Sequence, residues 1–315
     1  MKIEIVSQVI FEEINPSKKD ILICASGYET RSIYVAQNLG ERFHNKIVFG
    51  INSYLENSNR IKNDKFYREQ GFKYQIENED TGEKIILSIH EIINSSSNSV
   101  NIYIDYSSMP RTWYSELIRY LGDLNFKQNV SVIFLYSEGK FVKPSDKETY
   151  NLHVEPLRGF TYASVPEKPT ALIIGLGYET RRPLGLKEYF DASKMVLFLT
   201  DEQTSGKYYS EVIKKNKILL ETVEKKNPND VFYYPVNDQE FTFFNLERVC
   251  KEIQKSYRIV IAPCGPKFFT LCSLLVAFKN TDLDVWRISA GEGRVPFDRK
   301  PSGEIMCLKV DFNEG

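Results

Sequence analysis

The stretch that decides the fold is ILICASGYETRS, residues 21–32, because it returns as ALIIGLGYETRR at residues 171–182. Gly-Tyr-Glu-Thr-Arg is identical in the two at an offset of 150. Further matches follow in the same order. NIYIDYSSMPRTW (101–113) answers to RIVIAPCGPKFF (258–269), which sets Pro110-Arg111 against Pro266-Lys267. Glu138-Gly139-Lys140 answers to Glu292-Gly293-Arg294, and Lys143-Pro144-Ser145 to Lys300-Pro301-Ser302. Offsets that drift by only a few residues mark an internal duplication.

Between the matches, strands and helices alternate. ILICA, KIVFGIN, VNIYIDY and VSVIFLY are short apolar, β-branched runs of the kind that a sheet buried on both faces requires. ALIIGL, MVLFLT, RIVIAP and DVWRIS take the same parts in the second half. RSIYVAQNLGERF, TWYSELIRYLGDL and FFTLCSLLVAF have helical spacing. The expected fold is therefore α/β: two tandem Rossmann-like, doubly wound halves with mainly parallel sheets, residues 1–160 and 161–315. NLHVEP and MCLKVDF alternate like strands and are expected to append a β-hairpin to each half. The linker falls at 158–170, and NSSSNS at 94–99 reads as a surface loop.

Composition excludes several classes. A net charge of −1 with both signs interspersed argues against bulk coating of nucleic acid. No run approaches the roughly 18 apolar residues of a membrane span, and the first residues lack the apolar core of a signal peptide. Five cysteines without a CxxC pair speak against a zinc site or a disulfide framework, so a cytoplasmic location is expected.

In a doubly wound sheet, ligands sit beyond the carboxyl ends of the strands where strand order reverses. The loops after the first and third predicted strands of each half open onto that crevice, and the Glu-Gly-Lys/Arg loop follows the next strand over. Ser26, Gly27, Gly175, Gly177 and Gly265 let the backbone approach a ligand closely. Arg31 and Arg181 are expected to fork onto a phosphate, assisted by Arg111, Lys267, Lys140 and Arg294. Ser107 and Ser108 offer hydroxyls, and Asn52 and Asp201 stand where a ribose is often held. A purely structural reading of the same loop stands beside this one: Glu29 caps a helix and Arg31 pairs with Glu29. Thr180 occupies the place of a third glycine, so NAD has weak support and no cofactor is expected. Cys264 is more readily a small turn residue than a nucleophile, since Ser108 is its counterpart. His44, His90 and His153 lie outside every repeated loop.

With a strand followed by DYSSMPR or APCGPK and then a helix, each half resembles the CRISPR-associated Rossmann-fold (CARF) domain and its fused relative, the SAVED domain. That family's loop reads Asp-x-Ser/Thr-x-Gly-x-Lys. Asp105, Ser107, Ser108 and Arg111 match it loosely; Gly265 and Lys267 match its end, while Ala262 replaces the aspartate. The GYETR loop departs from the family's usual first motif. The resemblance implies a nucleotide or oligonucleotide second-messenger sensor subunit in prokaryotic antiviral defence, with the effector activity on a partner chain. The alternatives are an enzyme that cleaves a nucleotide, using Glu29, Glu179 and Asp105 as acid–base carboxylates, and a scaffold subunit whose loops only support the fold.

Overall fold

The computed structural model describes residues 2–95, 99–123, 129–144, 153–162, 167–178, 182–289 and 297–313. The chain divides into unit 1, residues 1–140 with 295–315, and unit 2, residues 141–294.

Unit 1 contains β1 (Lys2–Val9), β2 (Ile21–Ser26), α1 (Tyr34–Leu39), β3 (Asn45–Ile51), α2 (Ser58–Glu69), β4 (Lys73–Glu77), α3 (Glu83–Ser95), β5 (Val100–Asp105), α4 (Arg111–Asp123) and β6 (Val130–Gly139). Unit 2 contains β7 (His153–Pro156), β8 (Thr170–Gly175), α5 (Arg182–Tyr189), β9 (Lys194–Thr200), α6 (Glu202–Ser205), α7 (Lys207–Lys226), β10 (Val231–Tyr234), α8 (Gln239–Ile253), β11 (Arg258–Pro263), α9 (Lys267–Lys279) and β12 (Leu283–Ser289). The last strand, β13 (Pro301–Asn313), returns to unit 1.

The α/β class with mainly parallel sheets is as the sequence implies. The sheet of unit 1 runs β1-β13-β6-β5-β2-β3-β4, and that of unit 2 runs β10-β9-β8-β11-β12-β7. Read from the other edge, the second sheet places β7, β12, β11, β8, β9 and β10 where the first places β13, β6, β5, β2, β3 and β4. Within each unit the five strands beyond the β13 or β7 edge pair in parallel. The central strands are apolar on both faces because helices cover both: all six residues of β2 are buried, as are five of six in β11. In α9 the apolar residues surround the axis, and every residue from Phe268 to Ala277 is buried.

The expected hairpins are not formed. β7 follows β6 in the chain but pairs antiparallel with β12, and β13 follows β12 but pairs antiparallel with both β6 and β1. Each of these two strands joins the sheet of the sequence half to which it was not assigned, so the division into units differs from one drawn at residue 160. The alternation in NLHVEP and MCLKVDF specifies a strand with one buried face; it carries no information about the neighbour. In β13, Met306, Cys307, Leu308, Val310 and Phe312 are buried. The register slips between Pro301 and Ile305, and there Gly303 adopts φ 116°, a conformation that a Cβ would disfavour.

The N-terminal strand β1 and the edge strands β4 and β10 were not expected. β1 lies at the rim beyond β13, and β10 is only four residues long. Among the described residues no helix is long and apolar enough to cross a membrane. Cys24, Cys250, Cys272 and Cys307 are buried free thiols, and Cys264 is half-buried.

Candidate functional site at the strand-order reversal

In unit 1 the chain moves from β2 outward to β3 and β4, then crosses back to β5 on the other side of β2. The reversal therefore lies between the loops that follow β2 and β5, where ligands bind in folds of this kind. A Cβ added to Gly27 would lie 3.4 Å from Cβ of Ser108, so the two loops do converge.

The β2 loop is held from α2. Ser26 donates its hydroxyl to Asp64 (2.6 Å), and Asp64 accepts Nε of Arg60 (2.8 Å). Arg60 also donates to the Ile51 carbonyl (2.5 Å) and to the Tyr74 hydroxyl (3.1 Å). Asn63 donates to the carbonyls of Gly27 and Glu29, both at 2.9 Å, while the Gly27 N–H reaches Oγ of Ser32 (3.0 Å). The Tyr67 hydroxyl donates to the Ser32 carbonyl (2.6 Å). Arg60, Asn63, Asp64 and Tyr67 are all buried. Sequence reasoning missed this polar network, although its members fall at i, i+3, i+4 and i+7, the spacing of one helix face.

Arg31 overturns an expectation. It lies in a short 3-10 turn, Thr30–Ile33, and is 1% exposed, so it does not face an open crevice. Its Nε donates to Glu29 (2.7 Å); its Nη1 donates to the Tyr136 hydroxyl (3.1 Å) and the Ser137 carbonyl (3.0 Å). Burial opposes its charge, but Tyr136 and Glu29 outweigh that and hold the guanidinium above its ordinary pKa. Thr30 donates its N–H and its hydroxyl to the Asp298 carboxylate (2.6 and 2.7 Å), and the Arg31 N–H donates to the Arg299 carbonyl (3.0 Å). The segment leading into β13 thus closes over the Glu-Thr-Arg turn. The structural reading of this loop is matched in part: Arg31 pairs with Glu29, but the Glu29 side chain makes no cap hydrogen bond to the turn that follows it.

On the other side, Asp105 is buried and accepts the N–H (3.0 Å) and hydroxyl of Ser107. Ser107 in turn accepts the Ser137 N–H (2.8 Å). Ser108 differs: its hydroxyl is buried and has no hydrogen-bond partner among the described residues. Arg111, the first residue of α4, is half-buried, and Lys140 is exposed. Beside Gly27, Tyr28 and Tyr54 meet edge to face at 5.0 Å. Tyr54 has φ 54°, left-handed backbone that an aromatic residue rarely adopts. Asn52 accepts the Glu79 N–H (3.0 Å), so it serves a turn.

In unit 2 the reversal lies between β8 and β11. The Gly177 carbonyl accepts from Asn216 of α7 (2.9 Å), as Gly27 does from Asn63, and Tyr178 meets Tyr208 at 4.7 Å, as Tyr28 does Tyr54. Gly175 is small because the Phe269 ring lies against it. Gly265 is small because a Cβ there would come within 2.6 Å of the Leu176 carbonyl oxygen. These glycines therefore pack loop on loop and helix on strand. Cys264 donates its N–H to the Gly175 carbonyl (2.9 Å). Lys267 begins α9, whose cap Pro266 offers no side-chain acceptor. Asp201 caps α6 by accepting from the Thr204 N–H (2.8 Å), which leaves it a local role. Glu179, Arg181 and Arg294 lie outside the described residues.

Because the contact at Gly265 is with backbone, it cannot be relieved by a rotamer change. Gly265→Ala is expected to cost about 1–3 kcal/mol, the range for overpacking, read as a lower denaturant midpoint at unchanged slope.

No protein-family model matches the chain, and neither does any curated protein. Among solved structures, the cytoplasmic domain of a prokaryotic cation chloride cotransporter aligns over 88% of this chain and 98% of its own, at 11% identity and a TM-score of 0.24. A mutant of GsuK aligns over 86% of this chain and 66% of its own, at 12% identity and a TM-score of 0.23. Likeness at this level carries no argument about function; the site has to be read from its own geometry.

Proposed function

We propose that the chain binds a phosphorylated nucleotide ligand where strand order reverses in unit 1, with a related site in unit 2. We read it as a cytoplasmic sensor subunit in prokaryotic antiviral defence, with its effector on another chain, and the two units as products of one duplication. The observation that carries the reading is the junction of the β2 and β5 loops. There a buried Ser108 hydroxyl has no described partner where the β5 loop packs against Gly27, just before α4. A helix start favours an anion, and Arg111 stands on its first turn, where a cation opposes the helix dipole unless an anion offsets it. Tyr54, held in left-handed backbone against Tyr28, offers an aromatic edge for a base. The resemblance to CARF domains supplies the class of ligand, and the matched strand orders support the duplication. The cleaving-enzyme alternative has less support, since Glu29 is held by Arg31 and Asp105 is buried beneath Ser107.

Titration calorimetry with cyclic and linear oligoadenylates and with mononucleotides tests the site. One of these is expected to bind, and Arg111→Ala to weaken it by roughly 10- to 100-fold with the melting temperature unchanged, as befits a charge-assisted phosphate contact. A parent protein that binds none of them, or an Arg111→Ala protein that binds as tightly as the parent, refutes the proposal.

A further inference from the structure

The core of unit 2 is not uniformly closed. Leu172, Ile174, Leu197 and Leu199 are fully buried, whereas Ala192, Met195, Leu219 and Val223 in the same cluster keep 5–9% exposure. Those four line a cavity of about 300 Å³ between α5, the start of β9 and the last turns of α7. That volume sits at the lower end of the range for small-molecule sites. At its rim Leu184 and Ile218 are exposed, Ile218 by 79%. The charged lining is mostly cationic, Lys187, Lys194 and Lys226 against Asp230, with Ser193, Thr222, Asn227 and Tyr257 as neutral polar neighbours. Asp230 is already neutralised by Lys194 at 2.6 Å, which leaves Lys187 and Lys226 in surplus. Both lysines also suit the helix ends on which they sit, so their charge alone decides nothing. A cleft that leaves Met195, Leu219 and Val223 partly exposed beneath two surplus cations is a different matter, because apolar surface kept in contact with water forgoes the stabilisation that burial gives.

We infer that this cavity binds a small amphipathic anion of the medium-chain carboxylate class, its chain against Met195, Leu219 and Val223 and its carboxylate toward Lys187 and Lys226. At roughly 30 Å³ for a group the size of a water molecule, the space takes about ten such groups. The cavity opens at the amino end of β9, whereas the loops proposed to bind nucleotide follow the carboxyl ends of strands. The two readings therefore stand or fall separately.

A series of hexanoate, octanoate, decanoate and dodecanoate, titrated calorimetrically into the full chain, tests the inference. Affinity should rise about fourfold per added methylene until the cavity is full, then level off. Thr222→Trp, at the mouth, should abolish binding, and Lys226→Glu should weaken it about tenfold. Ile218→Glu changes a side chain too exposed to disturb the core, and should also weaken binding. Decanoate that fails to bind at millimolar concentration overturns the inference. So does decylamine binding as tightly as decanoate, or parent-like affinity in a folded Thr222→Trp or Ile218→Glu protein.

Discussion

A chain ending at Lys300 is expected to lose the cooperative unfolding of unit 1 while unit 2 stays folded. β13 lies between β6 and β1, so its removal strips one sheet edge and leaves β1 with no partner in the sheet. It also removes Met306, Cys307, Leu308, Val310 and Phe312 from the core. At about 1.5–3 kcal/mol for each fully buried large apolar side chain, the loss is roughly 7–15 kcal/mol, as large as the whole stability of a typical domain. Unit 2 draws no strand from beyond residue 294, so its own sheet is untouched. Hydrogen exchange reads the two units separately: amides of β5 and β6 should exchange without protection, and those of β8 and β11 should stay protected. Full protection in β6 of the shortened chain would show that β13 is dispensable.

The second large effect belongs to Arg31. Arg31→Ala should destabilise unit 1 by about 3–5 kcal/mol, since it leaves Glu29, the Tyr136 hydroxyl and the Ser137 carbonyl without the buried guanidinium. For a unit of this size that is a fall in melting temperature of roughly 6–20 °C. Arg31→Lys should recover little, because a lysine ammonium cannot reproduce the fork that spans a carboxylate on one side and a hydroxyl and a carbonyl on the other. Arg111→Ala, whose side chain is half-buried at a helix start, should leave the melt near that of the parent. Equal melts for the Arg31 and Arg111 variants would contradict the division between a structural arginine and the one proposed to bind the ligand.

Arg31 also marks how far the sequence could be read. The repeated pentapeptide correctly located the loop at the strand-order reversal, because apolar runs and their order are set by burial in the sheet. The role of its arginine was not legible. A repeat reveals what two loops share, and two loops on equivalent strands share the need to satisfy their own backbone before they share a ligand. Asn63 and Asn216 meet that need from helices whose sequences otherwise differ, so no motif pointed to them. Asp201 had the position of a ribose ligand, but an aspartate before a short helix serves equally as a cap, and distance along the chain cannot separate the two. The partners of β7 and β13 were hidden for a related reason: period-two alternation records which face of a strand is buried and is silent about the strand beside it.

The return of β13 to the first sheet bears on how the molecule comes into being on the ribosome. Domains ordinarily fold in the order they are translated. Here the polypeptide of unit 2 emerges whole between two pieces of unit 1. The unit begun first is therefore finished last. At about 5–20 residues per second, the nascent first sheet waits roughly 10–35 s with the β6 edge unpaired. An open edge of that kind is a template for wrong pairing.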